Sequence, residues 1–414
     1  MHSLQVREGE TILVQDRPIA GKKTLSTHHA QALLVHEHLF PAEAVHWGFN
    51  RLSFNRCGFF YFEGCAVEVL PQLAGDKISQ QISRDVTIKM LRAAGYYPSQ
   101  SPVYRPAGLH SLSFFDRYIF QFCEDLQYQI RKGMIRSYVS HHGELKLLKG
   151  RLLLDKQLQS GHSSGMSVCE FDELSVDNAY NQLLKQMLTL FLHLAVAGRI
   201  RRKVTELLRV FSAVSNQPLE SIPWQNLNFD RHSSRYETLF AHCRRLLSHS
   251  RVDARSGSLK SLCFAFHMHS LFKETMTSRL RNSRLGNLLE FKFKGPKKFL
   301  AQDSMGSREH VPLQPDVFVS NKQGSLLSLI NLQWDRVRSG KRWTHIPEQD
   351  VAPLLAYAVG YGVKRVFLIY PSGSQTGADS FNICVKGAEV DVVVMYVDVA
   401  ADELECQYFE ELLY

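Results

Sequence analysis

Asp316 follows Pro315 at the mouth of an apolar run, Val317 to Ser320, and a second run, Leu326 to Leu332, closes on Asn331, Leu332 and Gln333. An acid opening one strand, and a carboxylate, one spacer and a lysine on its neighbour, would meet at one sheet edge. There they hold Mg²⁺ and orient an attacking water, the chemistry of a metal-dependent nuclease core. Half of that pattern is missing. Asp316 supplies the first acid, but Asn331 and Gln333 stand where an acid and an ammonium are needed. Asn is nearly isosteric with Asp yet neutral, and a poor ligand for a hard dication. Gln has no charge to steady a hydroxide or a pentacoordinate phosphate. The pattern carries a stronger signal for the fold than for the activity.

The elements that must position these residues follow from periodicity. The two runs read as paired strands joined by a turn at Lys322, Gln323 and Gly324; a helix follows from about Gln349 to Tyr361, then a buried strand at Val366 to Tyr370 and a last one at Val390 to Val399. Upstream, residues 1–80 read as β-rich, with strands in Gln5 to Val14, Cys57 to Phe62 and Ala66 to Leu70 and a short helix at Thr27 to Leu39. His28, His29, His36 and His38 lie there, but i and i+2 spacing does not place two rings on one helical face, so no metal site is expected. Residues 81–258 read as mainly helical: through Val86 to Arg92 as far as Gly95, Phe114 to Lys132, Ala179 to Ala197 capped by Ser175 or Asp177, Lys203 to Val214, and Ser234 to Ser248. Met134 to Val139 and Glu144 to Leu147 are expected as strands, and Leu259 to Arg281 as a further helix. The fold class is an α+β multidomain chain: a β-rich domain at 1–80, a helical or mixed domain at 81–258, and an α/β nuclease-like domain at 259–414.

The chain has 414 residues, 44% hydrophobic and 21% charged, an ordinary globular composition with no apolar run of membrane-spanning length. The N-terminus lacks the apolar core of a secretory signal, so a cytoplasmic place is expected. Eight cysteines without a Cys-x-x-Cys pair predict reduced, buried thiols. The formal charge of +9 points to an anionic partner, nucleic acid first. Lys292, Lys294, Lys297 and Lys298 are the candidate DNA contacts. The cluster Gly198 to Lys203 is placed at the end of the Ala179 helix, where the dipole alone favours cations. No P-loop, Gly-x-Gly-x-x-Gly or His-Glu-x-x-His occurs, so a nucleotide-driven motor would have to be another polypeptide. Gly161 to Gly165 spells a nucleophile elbow, but its polar flanks predict a loop.

Ala66 to Gln72, Met90 to Gly95, Leu148 to Leu152, Phe171 to Asp177 with Asn181, Arg235-Tyr236, His269 to Phe272, Gln314 to Asp316 and Leu355 to Ala358 fall in order over roughly residues 60 to 371. Together these segments resemble the McrC family, a subunit of McrBC-type modification-dependent restriction systems. The resemblance implies a region within 60–245 that docks on and stimulates a hexameric McrB-like AAA+ GTPase. The partner would bind the GTP, and the C-terminal domain would be a PD-(D/E)xK nuclease acting on DNA. An arginine completing a neighbour's nucleotide site is the natural activating agent, and Arg151, inside a matched motif, is the candidate. The departures gather at the nuclease site. The family carries Glu after Leu-Phe, where this chain has Lys273; Glu274, one step on, lies about 100° around the helix. Asn331 and Gln333 replace the Asp and Lys of the second strand, and a helical Gln falls at Pro353. Asp316 alone remains, and an inward Lys273 would occupy the cation's position. The expectation is therefore a catalytically silenced subunit. It has no cofactor or metal of its own, Mg²⁺ at Asp316 only if it cuts, no membrane, and a separate nuclease as a possible further partner. The alternatives are an active Mg²⁺-dependent endonuclease with Glu290 or Asp335 recruited to the site, and a free-standing DNA-binding module.

Overall fold

Runs of β-branched and aromatic residues set off by Gly and Pro form the sheets, and capped amphipathic stretches form the helices. The computed structural model describes residues 2–72, 79–98, 108, 111–159, 166–231, 233–252, 259–293, 295–302, 309–334, 348–372, 377–385, 388–399 and 401. In chain order the strands are β1 His2–Arg7, β2 Ile12–Val14, β3 Thr24–Leu25, β4 Val45–Gly48, β5 Arg51–Phe54, β6 Cys57–Phe62, β7 Cys65–Leu70, β8 Ser137–Leu145, β9 Arg151–Leu152, β10 Ser167–Ser175, β11 Ser250–Val252, β12 Leu259–Phe266, β13 Leu289–Phe293, β14 Lys298–Gln302, β15 Glu309–Leu313, β16 Val317–Asn321, β17 Leu326–Leu332, β18 Arg365–Ser372, β19 Gly377–Val385 and β20 Ala388–Asp398. The helices are α1 Thr27–His36, α2 Gln80–Ala93, α3 Phe114–Arg131, α4 Leu154–Gln159, α5 Ala179–Leu194, α6 Gly198–Val210, α7 Glu237–Ser248, α8 Met268–Asn282 and α9 Glu348–Tyr361. The chain is mixed α/β, with several sheets of mixed direction. It divides into two units, Pro98–Leu262 and His2–Tyr97 with Cys263–Tyr414.

The first unit is built on α3, which buries Phe114, Phe115, Tyr118, Ile119, Phe122 and Leu126. Ser113 caps it, accepting from the Asp116 amide at 3.1 Å. The cap of α5 is Asn178, whose Oδ1 accepts from the Asn181 amide at 3.1 Å; it is neither Ser175 nor Asp177. Asp177 is committed elsewhere, accepting from the Ser215 amide, the Ser215 hydroxyl and Gln182. The expected helix Ala179 to Ala197 stops at Leu194, and α6 starts at Gly198, inside the basic cluster. The buried carboxylate of Asp116 makes that break: it accepts from the amides of Val196 at 3.0 Å and Ala197 at 3.2 Å. The two strands expected at Met134 to Val139 and Glu144 to Leu147 are one strand, β8. Every residue of it, His141 to Gly143 included, pairs antiparallel with β10. Between Ser137–His142 and Glu170–Ser175 this ribbon buries no residue, and Tyr138 and Leu174 are open to solvent.

In the second unit β1 runs parallel to β7, β7 forms a hairpin with β6, and the end of β12 lies beside β6. Gly58 permits that approach: at φ +142°, a Cβ there would sit 2.1 Å from the Phe264 carbonyl oxygen. Leu259 to Phe266 is thus a strand, and the helix expected from Leu259 begins only at Met268. The six-stranded sheet runs β13-β16-β17-β18-β20-β19. Its β16–β17 turn is closed by Asn321, whose Oδ1 accepts from the amides of Gln323 and Ser325. The expected helix and strand after it are α9 and β18. β17, β18 and β20 are parallel, and their largely apolar, buried runs fit strands covered on both faces. Leu354 and Ala358 of α9 pack on Phe318, Leu329, Leu368 and Tyr370.

Candidate functional site

Strand register places Asp316. Val317 pairs with Ile330, so the next step sets Asp316 across from Asn331, as the sequence predicted. The carboxylate is fully engaged: Oδ2 accepts from the Leu332 amide at 2.8 Å, and Oδ1 lies 2.5 Å from Lys273 Nζ. Asn331 is buried, paired in register with Leu368. Gln333 extends β17 by one rung, its amide donating to the Ile369 carbonyl at 3.0 Å.

Helix α8 brings the ammonium. His269 and Lys273 are four residues apart and share a face; Glu274 is exposed. The amide of Trp334 donates to His269 Nδ1 at 3.3 Å, and the Trp334 ring leans on Phe272 at 5.8 Å, so Trp334 is a packing residue. Burial lowers the His269 pKa, and Lys273 adds to that while Asp316 and Asp350 oppose it. The imidazole is therefore neutral at pH 7, with its proton on Nε2 by virtue of the Trp334 bond. Burial likewise raises the Tyr357 phenol, helped by the Asp316 charge.

Two further groups were not foreseen. Asp350, buried in the first turn of α9, accepts from the Tyr370 hydroxyl at 2.7 Å. Its signal was present, an acid just before Pro353 at a helix start. His269 was named only as part of the His269 to Phe272 match, with no role at the site. Glu290 is at the wrong end of the ladder: it pairs with Ser320, four residues along β16 from Asp316, or about 13 Å. Its carboxylate lies 3.6 Å from Lys292 Nζ. Asp335 lies outside the described residues.

Among the described residues the donors at this edge do not fit a divalent ion. One oxygen of Asp316 meets an ammonium and the other a backbone amide, and Asp350 holds a phenol. Among the described residues no group of three or more His, Cys, Asp or Glu side chains could share a metal. Of the N-terminal histidines, His36 Nε2 lies 3.7 Å and His28 Nε2 4.0 Å from Glu63, His29 bonds the Ser26 hydroxyl, and His38 bonds the Val35 carbonyl.

Of the other candidate residues, Lys298 donates to the Gly360 carbonyl at 2.8 Å, at the end of α9, where the dipole welcomes a cation. Lys297 is exposed, and Lys294 lies outside the described residues. Gly161 to Gly165 lies outside them too. Arg151 is exposed in β9, opposite Glu170. Gly150 before it is at φ +73°, its backbone so close to β10 that a Cβ would meet the Glu170 carbonyl oxygen at 2.3 Å. Cys57, Cys65, Cys123, Cys169, Cys243 and Cys263 are buried free thiols. No described helix is long and apolar enough to cross a membrane.

Residues 54–371 match the family described as McrBC 5-methylcytosine restriction system component, and the chain belongs to that family. Two solved structures from Thermococcus gammatolerans are similar in fold. One is a chain of a refined half-complex from a tetradecameric assembly of McrB AAA+ hexamers with bound McrC. It is 17% identical with a TM-score of 0.71, over 96% of this chain and 94% of that one. The other is a chain of the McrBC complex determined by cryo-EM, 20% identical with a TM-score of 0.51, over 68% of this chain and 87% of that one. At these identities the likeness bears on the fold alone. No curated protein matches the chain.

Proposed function

We propose that this chain is an McrC-type subunit of a DNA restriction complex, working in the cytoplasm against foreign DNA. It docks on and stimulates an McrB-like AAA+ GTPase hexamer, which binds the GTP. Membership of the McrBC family supports this reading, as does likeness over nearly the full length to a chain of an assembly holding McrB hexamers and McrC. The β-rich 1–80 region and the mixed 81–258 region form the partner-facing part, with Arg151 entering a neighbour's nucleotide site. Residues 259–414 form a PD-(D/E)xK-like domain around β16, β17, α9 and β18.

That domain is silent as a nuclease. The observation that carries this is the Lys273 ammonium on the Asp316 carboxylate. The pair is partly exposed and adds about 0–1 kcal/mol to stability at most. Its weight lies in occupancy, since a fixed charge sits where a dication would have to enter. Cutting then falls to a separate nuclease subunit.

Two assays test the reading. The purified chain with its ring partner is given DNA with Mg²⁺ or Mn²⁺, and no cleavage is expected. Cleavage abolished by Asp316→Ala would replace silence by an active site relocated around Asp316. The partner's GTP hydrolysis is then measured with and without the chain. An unchanged rate removes the activator role.

A further inference from the structure

Helix α6 carries Arg199, Arg201, Arg202 and Lys203 in its first two turns and Arg209 in its last, against one acid, Glu206. A helix N-terminus carries partial positive charge, and a cation in the first turn is disfavoured there. The first turn holds no acidic residue of its own. The helix end already has its anion from beneath, in the buried Asp116 carboxylate on the Val196 and Ala197 amides. Arg199 and Arg201 in the first turn therefore work against the dipole, whereas Arg209 in the last turn is favoured by it. Placed at the end of α5, the same residues would have been explained by that dipole.

Ile200, Val204 and Leu207 are buried and fix the rotation of α6. Arg202 and Arg209 fall on the opposite side, two turns or about 10.5 Å apart, and Arg201 lies on the flank, about 100° around from Arg202. All three are exposed, and among the described residues none has an ion-pair partner. Lys203 turns inward, pairing with Glu124, bonding Gln127 at 3.0 Å and lying over the Phe120 ring.

We propose that this face of α6 is a contact for the phosphodiester backbone of duplex DNA, independent of base sequence. The proposal rests on reading the chain as part of a DNA restriction complex. Duplex DNA offers a phosphate about every 3.4 Å per strand along its axis, so Arg202 and Arg209 span about three phosphates. The planar guanidinium fork suits phosphate oxygens. Between those arginines the exposed face carries Glu206 and no large apolar side chain, whereas the core of a protein interface is more apolar than the surface around it. Two of the lysines expected to grip DNA are already engaged, Lys292 with Glu290 and Lys298 with the end of α9.

The test uses the full chain and a short fluorescein-labelled duplex, with affinity measured by anisotropy across a salt series. The variant is Arg201→Gln, Arg202→Gln and Arg209→Gln together. Each lost phosphate contact flattens the slope of log affinity against log salt by about 0.9, so a change of about 2 to 3 is expected. A thermal melt should show the variant close to the parent, because all three side chains are exposed and the dipole effects of Arg201 and Arg209 have opposite signs. No duplex binding by the parent chain, or an unchanged slope in the variant, overturns the proposal. So does unchanged DNA binding with lost association to the AAA+ ring, which would make the face a site for an acidic protein surface. Stimulation of the partner's GTP hydrolysis by the parent chain is read separately. Its absence, alongside the expected change of slope, would count against the complex reading and leave the DNA contact standing.

Discussion

Lys273 Nζ lies 2.5 Å from Asp316 Oδ1, reaching from α8 to the mouth of β16, and the Leu332 amide takes the other oxygen at 2.8 Å. An internal cation thus neutralises the one acid that sequence reasoning placed at this edge.

Divalent ions should therefore find no tight site. In isothermal titration with Mn²⁺, the parent chain is expected to show no saturable binding below about 1 mM, the weak end of protein cation sites. The triple change Lys273→Glu, Asn331→Asp and Gln333→Lys supplies the missing groups, and should bind Mn²⁺ at least about tenfold more tightly than the parent. Equal binding by both would mean that the ion pair is not what excludes the metal.

Arg151→Ala removes an exposed side chain from a two-residue strand whose turn is set by Gly150, so the fold should hold. An arginine completing a neighbour's nucleotide site is worth about 10³ or more in rate. The stimulated part of the partner's GTP hydrolysis should fall by at least that order, with association unchanged by gel filtration. A stimulated rate within twofold of the parent would clear Arg151 of this role.

His242 is buried on α7 against the Tyr118 ring, at 6.0 Å. Burial, with Arg245 beside it, lowers its pKa from 6.5 to about 4. The folded chain resists protonation there and the unfolded chain does not. The stabilising effect is complete above pH 6.5 and is lost as the pH falls towards 4, on the order of 3 kcal/mol in all. Melting temperature should decline across that window. His242→Gln should flatten the decline, and an identical pH profile in that variant would show that other groups set it.

Gly58→Ala should be severely destabilising, because the new Cβ would meet the Phe264 carbonyl oxygen at 2.1 Å and strain a backbone at φ +142°. A loss of about 3 kcal/mol or more is expected in urea unfolding. Gly64→Ala is the control: it shares a positive φ of +84° but nothing lies within 4 Å, so a cost of about 1 kcal/mol is expected. Similar losses in the two would mean that steric contact at Gly58 is not decisive.

Much of the second unit could be read from sequence because its punctuation is local. Asn321 and Gly324 close the β16–β17 turn, and the runs on either side have clear periods, so Asp316 and Asn331 were brought to one edge correctly. Leu259 to Phe266 failed for the opposite reason. It is an apolar run with no Gly or Pro before α8, and such a run fits a buried strand or a helix equally. Glu290 was kept in view as a nearby acid because only strand register sets it four rungs away. The break between α5 and α6 was invisible as well. It is made by Asp116, some eighty residues upstream, through bonds that no local pattern announces.

The β8–β10 ribbon has one more implication. Where Ser137–His142 runs against Glu170–Ser175 no side chain is buried, so only the ladder and cross-strand neighbours hold the conformation. Residue identity along that stretch is released from the demands of a core. Tyr138 could become almost any strand-compatible residue without the domain noticing. Selection on those positions would then answer to encounters outside the molecule, and their drift across relatives would chart what the ribbon meets.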